Sequence, residues 1–91
     1  MSIIKLKEFG LNLSGRPQGI QAFNIIIGKY DEPFELDFEK VFSIGSSFAD
    51  EVVAKLAKKN GGSIIVYNSL RVVNKCLDGV AKDKGFKLVY R

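Results

Sequence analysis

Ninety-one residues, 46% apolar and 26% charged, fit one small globular domain, because this is ordinary folded-protein usage and too apolar for a disordered segment. The formal net charge is +4, with no histidine and one cysteine, which removes histidine metal ligands, Ser-His and Cys-His nucleophile pairs, internal disulfides and cysteine metal cages. No apolar run approaches the roughly 18 residues of a membrane helix. The first seven residues also lack the long apolar stretch of a signal peptide, so a cytoplasmic protein is expected.

Residues 3–9 alternate apolar Ile4 and Leu6 with Lys5 and Lys7, the period-two mark of a strand with one wet face. A turn over 12–17 opens a helix, with Ser14 as candidate cap and Pro17 in the first turn, where its missing N–H costs nothing. Ile20, Phe23, Ile26 and Ile27 set the apolar stripe of that helix and Gly28 its end. After a turn at Asp31-Glu32-Pro33, residues 34–38 alternate Phe34, Leu36 and Phe38 against acids, a pattern that suits a sheet covered on one side. Phe48, Ala49, Val52, Val53, Leu56 and Ala57 then fall on one stripe of a second helix. Asp50 and Glu51 lie near its positive end and Lys55, Lys58 and Lys59 near its negative end. Asn60-Gly61-Gly62 stops it as a left-handed cap requires. Residues 63–67 are apolar without alternation, as in a central strand. Asn68 and Ser69 are candidate caps of a third helix with the stripe Leu70, Val73, Cys76, Leu77, Val80 and Ala81. Gly85 breaks it, and residues 86–90 form a last strand. Such alternation predicts a single α/β domain over 1–91. Its sheet has about four strands, mostly parallel or mixed, with right-handed crossovers and three helices mainly on one face.

The chemistry centres on Ser46 and Ser47. Ser47-Phe-Ala-Asp50 matches the capping-box pattern, and such a cap is worth about 1 kcal/mol without any further role. Ser46 serves equally if the helix starts one residue earlier. Asp31/Glu32 and Asp37/Glu39 are paired acids, but the first pair sits in a turn and the second faces solvent on a strand. No phosphate-binding glycine motif is present; Gly61-Gly62 is a helix-to-strand turn. Cys76 lies on an apolar stripe and reads as core. Neither an enzyme nor a bound cofactor or metal is expected.

The run Leu36-Asp-Phe-Glu-Lys-Val-Phe-Ser-Ile-Gly-Ser-Ser-Phe-Ala-Asp-Glu51, with Arg16 and Gly19 at the start of the first helix, resembles the STAS-like domain family of unknown function. That family is similar to the STAS domains of anti-sigma-factor antagonists, partner-switching proteins whose second helix begins Asp-Ser-Ser-Gly. In those proteins a serine is phosphorylated by a histidine-kinase-like ATPase. Laid on this chain, the four positions are Gly45, Ser46, Ser47 and Phe48, so Ser47 takes the phospho-acceptor place, with Gly45 for the acid and Phe48 for the glycine. The resemblance implies a non-enzymatic regulatory domain that binds a protein partner, a histidine-kinase-like ATPase or a transcription regulator. Ser47, with Ser46 beside it, is the phosphorylation candidate. The interaction surface would comprise Gly45, Ser46, Ser47, Asp50, Glu51 and Lys55.

Two alternatives rest on charge. Residues 1–50 hold five basic and seven acidic side chains and residues 51–91 nine and three, so the halves carry −2 and +6. Lys55, Lys58, Lys59, Arg71 and Lys75 are therefore candidates for nucleic-acid binding, although single lysines on solvated helix faces explain them as well. Arg16 is a candidate anion-binding residue or the partner of an acid on a neighbouring loop. A small anionic ligand or nucleotide at the start of the second helix is a third reading.

Overall fold

The computed structural model describes residues 1–91. Strands β1 (Ser2–Lys5), β3 (Phe34–Asp37), β5 (Ser63–Tyr67) and β6 (Lys87–Tyr90) form one sheet in the spatial order β1-β3-β5-β6, every neighbouring pair parallel. The helices are α1 (Arg16–Lys29), α2 (46–59) and α3 (Arg71–Lys84). Parallel strands laid down in sequential order by right-handed crossovers force all three helices onto the same face. The sheet is thus covered on one side, as the alternation in residues 34–38 requires.

Rows of covered-face residues run across the strands. Ile4, Leu36 and Val66 are in register, and all three are fully buried beneath the helices. The opposite face carries Ile3, Glu35, Ile65 and Val89 in one row and Lys5, Asp37 and Tyr67 in the next. Glu35 is buried even there. It accepts a hydrogen bond from the Tyr67 hydroxyl (2.6 Å), which together with burial raises the Tyr67 pKa.

All six stripe residues of α2 are buried. Its backbone is α-helical over Ser46–Ala49 and Lys55–Lys59, with a wider π turn over Asp50–Ala54 between them. Asn60 caps its end, and Gly61 (φ 92°) and Gly62 (φ 116°) take the positive φ that releases the chain. The Asn60 side chain also reaches the start of β3. Its Oδ1 accepts from the Phe34 N–H and its Nδ2 donates to the Phe34 C=O, both at 2.8 Å, so it serves as a short surrogate strand partner.

Several expectations change. The first strand stops at Lys5, because its partner β3 ends at Asp37 directly opposite, and residues Leu6–Phe9 coil into a 3₁₀ turn. Two short strands, β2 (Asn12–Leu13) and β4 (Ser43–Ile44), pair in parallel outside the main sheet. Neither Ser14 nor Asn68 nor Ser69 caps a helix. Gly15 and Leu70 hold the cap positions, and Gln18 reaches back to the Ser14 N–H instead. The Ser69 hydroxyl bonds the Asn74 side chain. Helix α1 runs on past Gly28 to Lys29 and is rotated from the expected stripe. Gly19, Ala22 and Ile26 face the core, whereas Ile20 and Ile27 stand exposed. Small residues contribute little hydropathy signal, yet they permit the closest packing, and here packing chose the face.

Candidate functional site

The carboxyl ends of the parallel strands lie on one edge of the sheet, the edge where α/β folds place their contacts because its loops are released from the packed layers. Ser46 and Ser47 open α2 on this edge. The N-cap position falls on Gly45 (φ −92°, ψ 152°), whose N–H donates to the Leu13 C=O (2.7 Å), and no side chain caps the helix. The capping box expected between Ser47 and Asp50 is not formed. Both serines sit inside the first turn, one and two positions past the cap, and the Asp50 carboxylate is engaged elsewhere.

Ser46 is exposed and Ser47 half-buried. No buried side-chain nitrogen or oxygen of the chain lacks a partner, so these uncapping hydroxyls reach solvent. Phe48 is fully buried, so its ring leaves the approach to the hydroxyls clear. We expect Ser46→Ala and Ser47→Ala each to shift stability by less than about 0.5 kcal/mol in urea denaturation. A loss near 1 kcal/mol would instead reveal a working cap.

Below the serines, α1 and α2 are joined by charge. Arg16 donates from Nη1 to Glu51 Oε2 (2.5 Å) and from Nη2 to Asp50 Oδ2 (3.4 Å), and Lys55 Nζ donates to Glu51 Oε1 (2.6 Å). Glu51 is therefore a buried carboxylate between two cations. The hydrogen bond from Lys55, then that from Arg16, holds its pKa below the ordinary 4.5. The hydrogen bonds of Arg16 to Glu51, first, and to Asp50 raise its own pKa. Where these helices touch, Gly19 of α1 lies against the π turn. A Cβ on it would meet Glu51 Cβ at 2.8 Å and the Phe48 Cα and carbonyl oxygen at 3.2 Å.

A carboxyl whose folded pKa is depressed stabilises the fold above its unfolded value, and that stability is lost as pH falls through the folded value. Wild type should accordingly lose stability below about pH 4.5 more steeply than Glu51→Gln, which cannot titrate. Parallel denaturation midpoints over that range, with no difference in slope, would remove the ion triad from the account of stability.

The residues expected to share one surface differ in what they bond. Gly45, Ser46 and Ser47 stay on the carboxyl edge. Asp50, Glu51 and Lys55 are drawn into the contact with Arg16, whose own charge is met by acids of α2. Leu70, expected on the core stripe of α3, instead stands exposed at its N-cap; together with Leu11, Phe42 and Val72, which were not singled out in the sequence, it lies on the same edge as the serines, each 47–59% exposed. Their signal was position alone, since each lies in a connection after a strand or in the first turn of a helix. Among the candidate nucleic-acid residues, Arg71 and Lys75 begin α3 near this edge, whereas Lys58 and Lys59 end α2 at the opposite one. Cys76 packs half-buried against the core, and burial raises its thiol pKa, keeping it protonated. Ser2-Ile-Ile-Lys5 reads as Ser-x-x-Lys, but three positions along a strand point to opposite faces, and the Ser2 hydroxyl accepts from the Asp31 N–H.

No curated protein and no solved structure matches the chain. The family model described as STAS-like domain of unknown function matches residues 18–74, which include Gly19, both serines and the Phe48–Glu51 stretch, with Arg16 just ahead of it. With that match over more than half of its length, the chain belongs to the family of STAS-like domains of unknown function.

Proposed function

We propose that this domain is a non-enzymatic regulatory module that binds a partner protein through the carboxyl edge of its sheet, with Ser47 as a modifiable hydroxyl. The observation that carries the reading is the pair of uncapped, solvent-reaching serines at the start of α2, on an edge that also presents Leu11, Phe42, Leu70 and Val72. Exposed apolar side chains gathered on one edge suit a partner surface. A hydroxyl among them places a charge change where it alters docking most.

Transfer of the γ-phosphoryl group of ATP to the Ser47 oxygen, with loss of the hydroxyl proton and release of ADP, adds about −1.5 to −2 charge. The uncapped backbone N–H groups of the first turn favour that charge. Asp50 and Glu51 one turn on oppose it, and Arg16 is already paired with both of them. The expected outcome is an altered docking surface on an unaltered fold. By the family's similarity to anti-sigma-factor antagonist domains, the partner is a histidine-kinase-like ATPase or a transcription regulator.

The test is incubation with ATP and a histidine-kinase-like ATPase encoded beside the gene, followed by mass spectrometry and gel filtration. Phosphate on Ser47, and a complex weakened by Phe42→Ala without loss of thermal stability, is the expected result. Absence of both modification and complex, for wild type and Ser47→Ala alike, would end this reading.

A further inference from the structure

A second surface runs along α2 from one turn beyond the serines to the end of the helix. A cleft of about 610 Å³ is lined by Arg16, Lys55, Lys58, Lys84 and Phe86, with Asp50 and Glu51 on its wall and the bare backbones of Gly61, Gly62 and Gly85 at its far end. Its floor follows α2 from Asp50 to Gly61, roughly 16 Å at the helical rise per residue, a span that about five extended residues fill. The chain's ion pairs occupy Arg16 and Lys55 and leave Lys58 and Lys84 unpaired. Lysines in the last turns of α2 and α3 offset the negative ends of those helices. That duty alone does not require two of them to converge, from helices separate in sequence, on the same cleft.

We propose that this cleft binds a short, extended acidic segment of a protein partner, its carboxylates meeting Lys58 and Lys84 and an apolar side chain resting on Phe86. The proposal deepens the protein-binding reading above and rests on it. Only two of the eleven lining residues are apolar, and small-molecule sites are mostly apolar with a few polar groups, so a ligand held across a polar surface fits better. The mixed sign of the wall chooses between polymers. A nucleic acid carries a charge on every nucleotide and would set some of them against Asp50 and Glu51. A peptide can space its acids to meet the lysines and leave those two positions free.

The probe is a short fluorescein-labelled peptide of alternating glutamate and alanine, titrated by anisotropy and compared with its glutamine counterpart and with oligothymidylate. Two charge-matched double variants decide the site: Lys58→Glu with Lys84→Glu inside the cleft, and Lys75→Glu with Lys82→Glu outside it. The expected result is binding of the glutamate peptide that weakens with salt, falls about tenfold or more in the cleft pair and changes less than about threefold in the control pair. Should the cleft pair misfold, Lys58→Gln with Lys84→Gln serves in its place with a smaller loss. No binding, equal binding of the glutamine peptide, equal loss in both pairs, or tighter binding of oligothymidylate would each overturn the proposal. The carboxyl-edge reading is probed through Ser47 and Phe42. A flat peptide titration with an intact effect at those residues therefore removes the cleft alone.

Discussion

Phe48→Ala is expected to lower stability by about 3–5 kcal/mol, the range for emptying a fully buried aromatic site. Phe48 has no exposed surface and belongs to the hydrophobic core. Domains of this size hold about 5–15 kcal/mol in total, so the variant should unfold at far lower urea and at a markedly lower temperature than wild type. Phe42→Ala is the matched control. The same side chain is removed from a site that is 55% exposed, and the expected change is within about 0.5 kcal/mol. Equal midpoints for the two variants would mean that the ring of Phe48 is not where the fold places it. The comparison also bears on function, since a buried Phe48 leaves the serines approachable while an exposed one would shield them.

The second large effect reverses sign between two glycines. Alanine is favoured over glycine in a helix interior by about 1 kcal/mol, so on propensity alone Gly19→Ala and Gly79→Ala should both stabilise. Around Gly79 a new Cβ meets nothing within 4 Å, and the gain should appear. At Gly19 the new atom meets Glu51 Cβ at 2.8 Å and the Phe48 backbone at 3.2 Å, atoms held by the helix itself rather than by a flexible side-chain end. Overpacking of this kind costs about 1–3 kcal/mol, which exceeds the propensity gain. Gly19→Ala should therefore destabilise and Gly79→Ala stabilise, read as opposite shifts of the thermal midpoint. A stabilising Gly19→Ala would show that α1 and α2 do not approach so closely. The separation would be felt beyond packing, because Arg16 stands on the same helix and would move with it away from Glu51.

These contacts give a physical meaning to the residues that carry the family resemblance. Arg16 and Gly19 on one side, and Phe48, Asp50 and Glu51 on the other, are 29 to 35 residues apart in the chain, and they meet in one junction. Glycine allows the approach, the buried ring anchors one side, and the ion triad closes the exposed side of the seam.

Features that depend only on neighbours along the chain were legible in the order of residues. The stripe of α2, the positive-φ glycines after it and after α3, the strand at 63–67 and the one-sided alternation at 34–38 all follow from local period and backbone preference, and all are found. They suffice for the α/β class and for the one-sided helical layer. Tertiary structure alone decided which groups compete for one another. Asp50 was within reach of Ser47 but pairs with Arg16, because a guanidinium brought in from α1 is a stronger partner for a carboxylate than a neighbouring backbone N–H. The face of α1 was set by how near Gly19 and Ala22 let it lie to α2, although its isoleucines carry the greater hydropathy. Lys58 and Lys84 became one surface only when the ends of two helices were placed side by side. Periodicity reports what each segment must bury; the choice of partner across the fold is a matter of distance, and distance is absent from the order of residues.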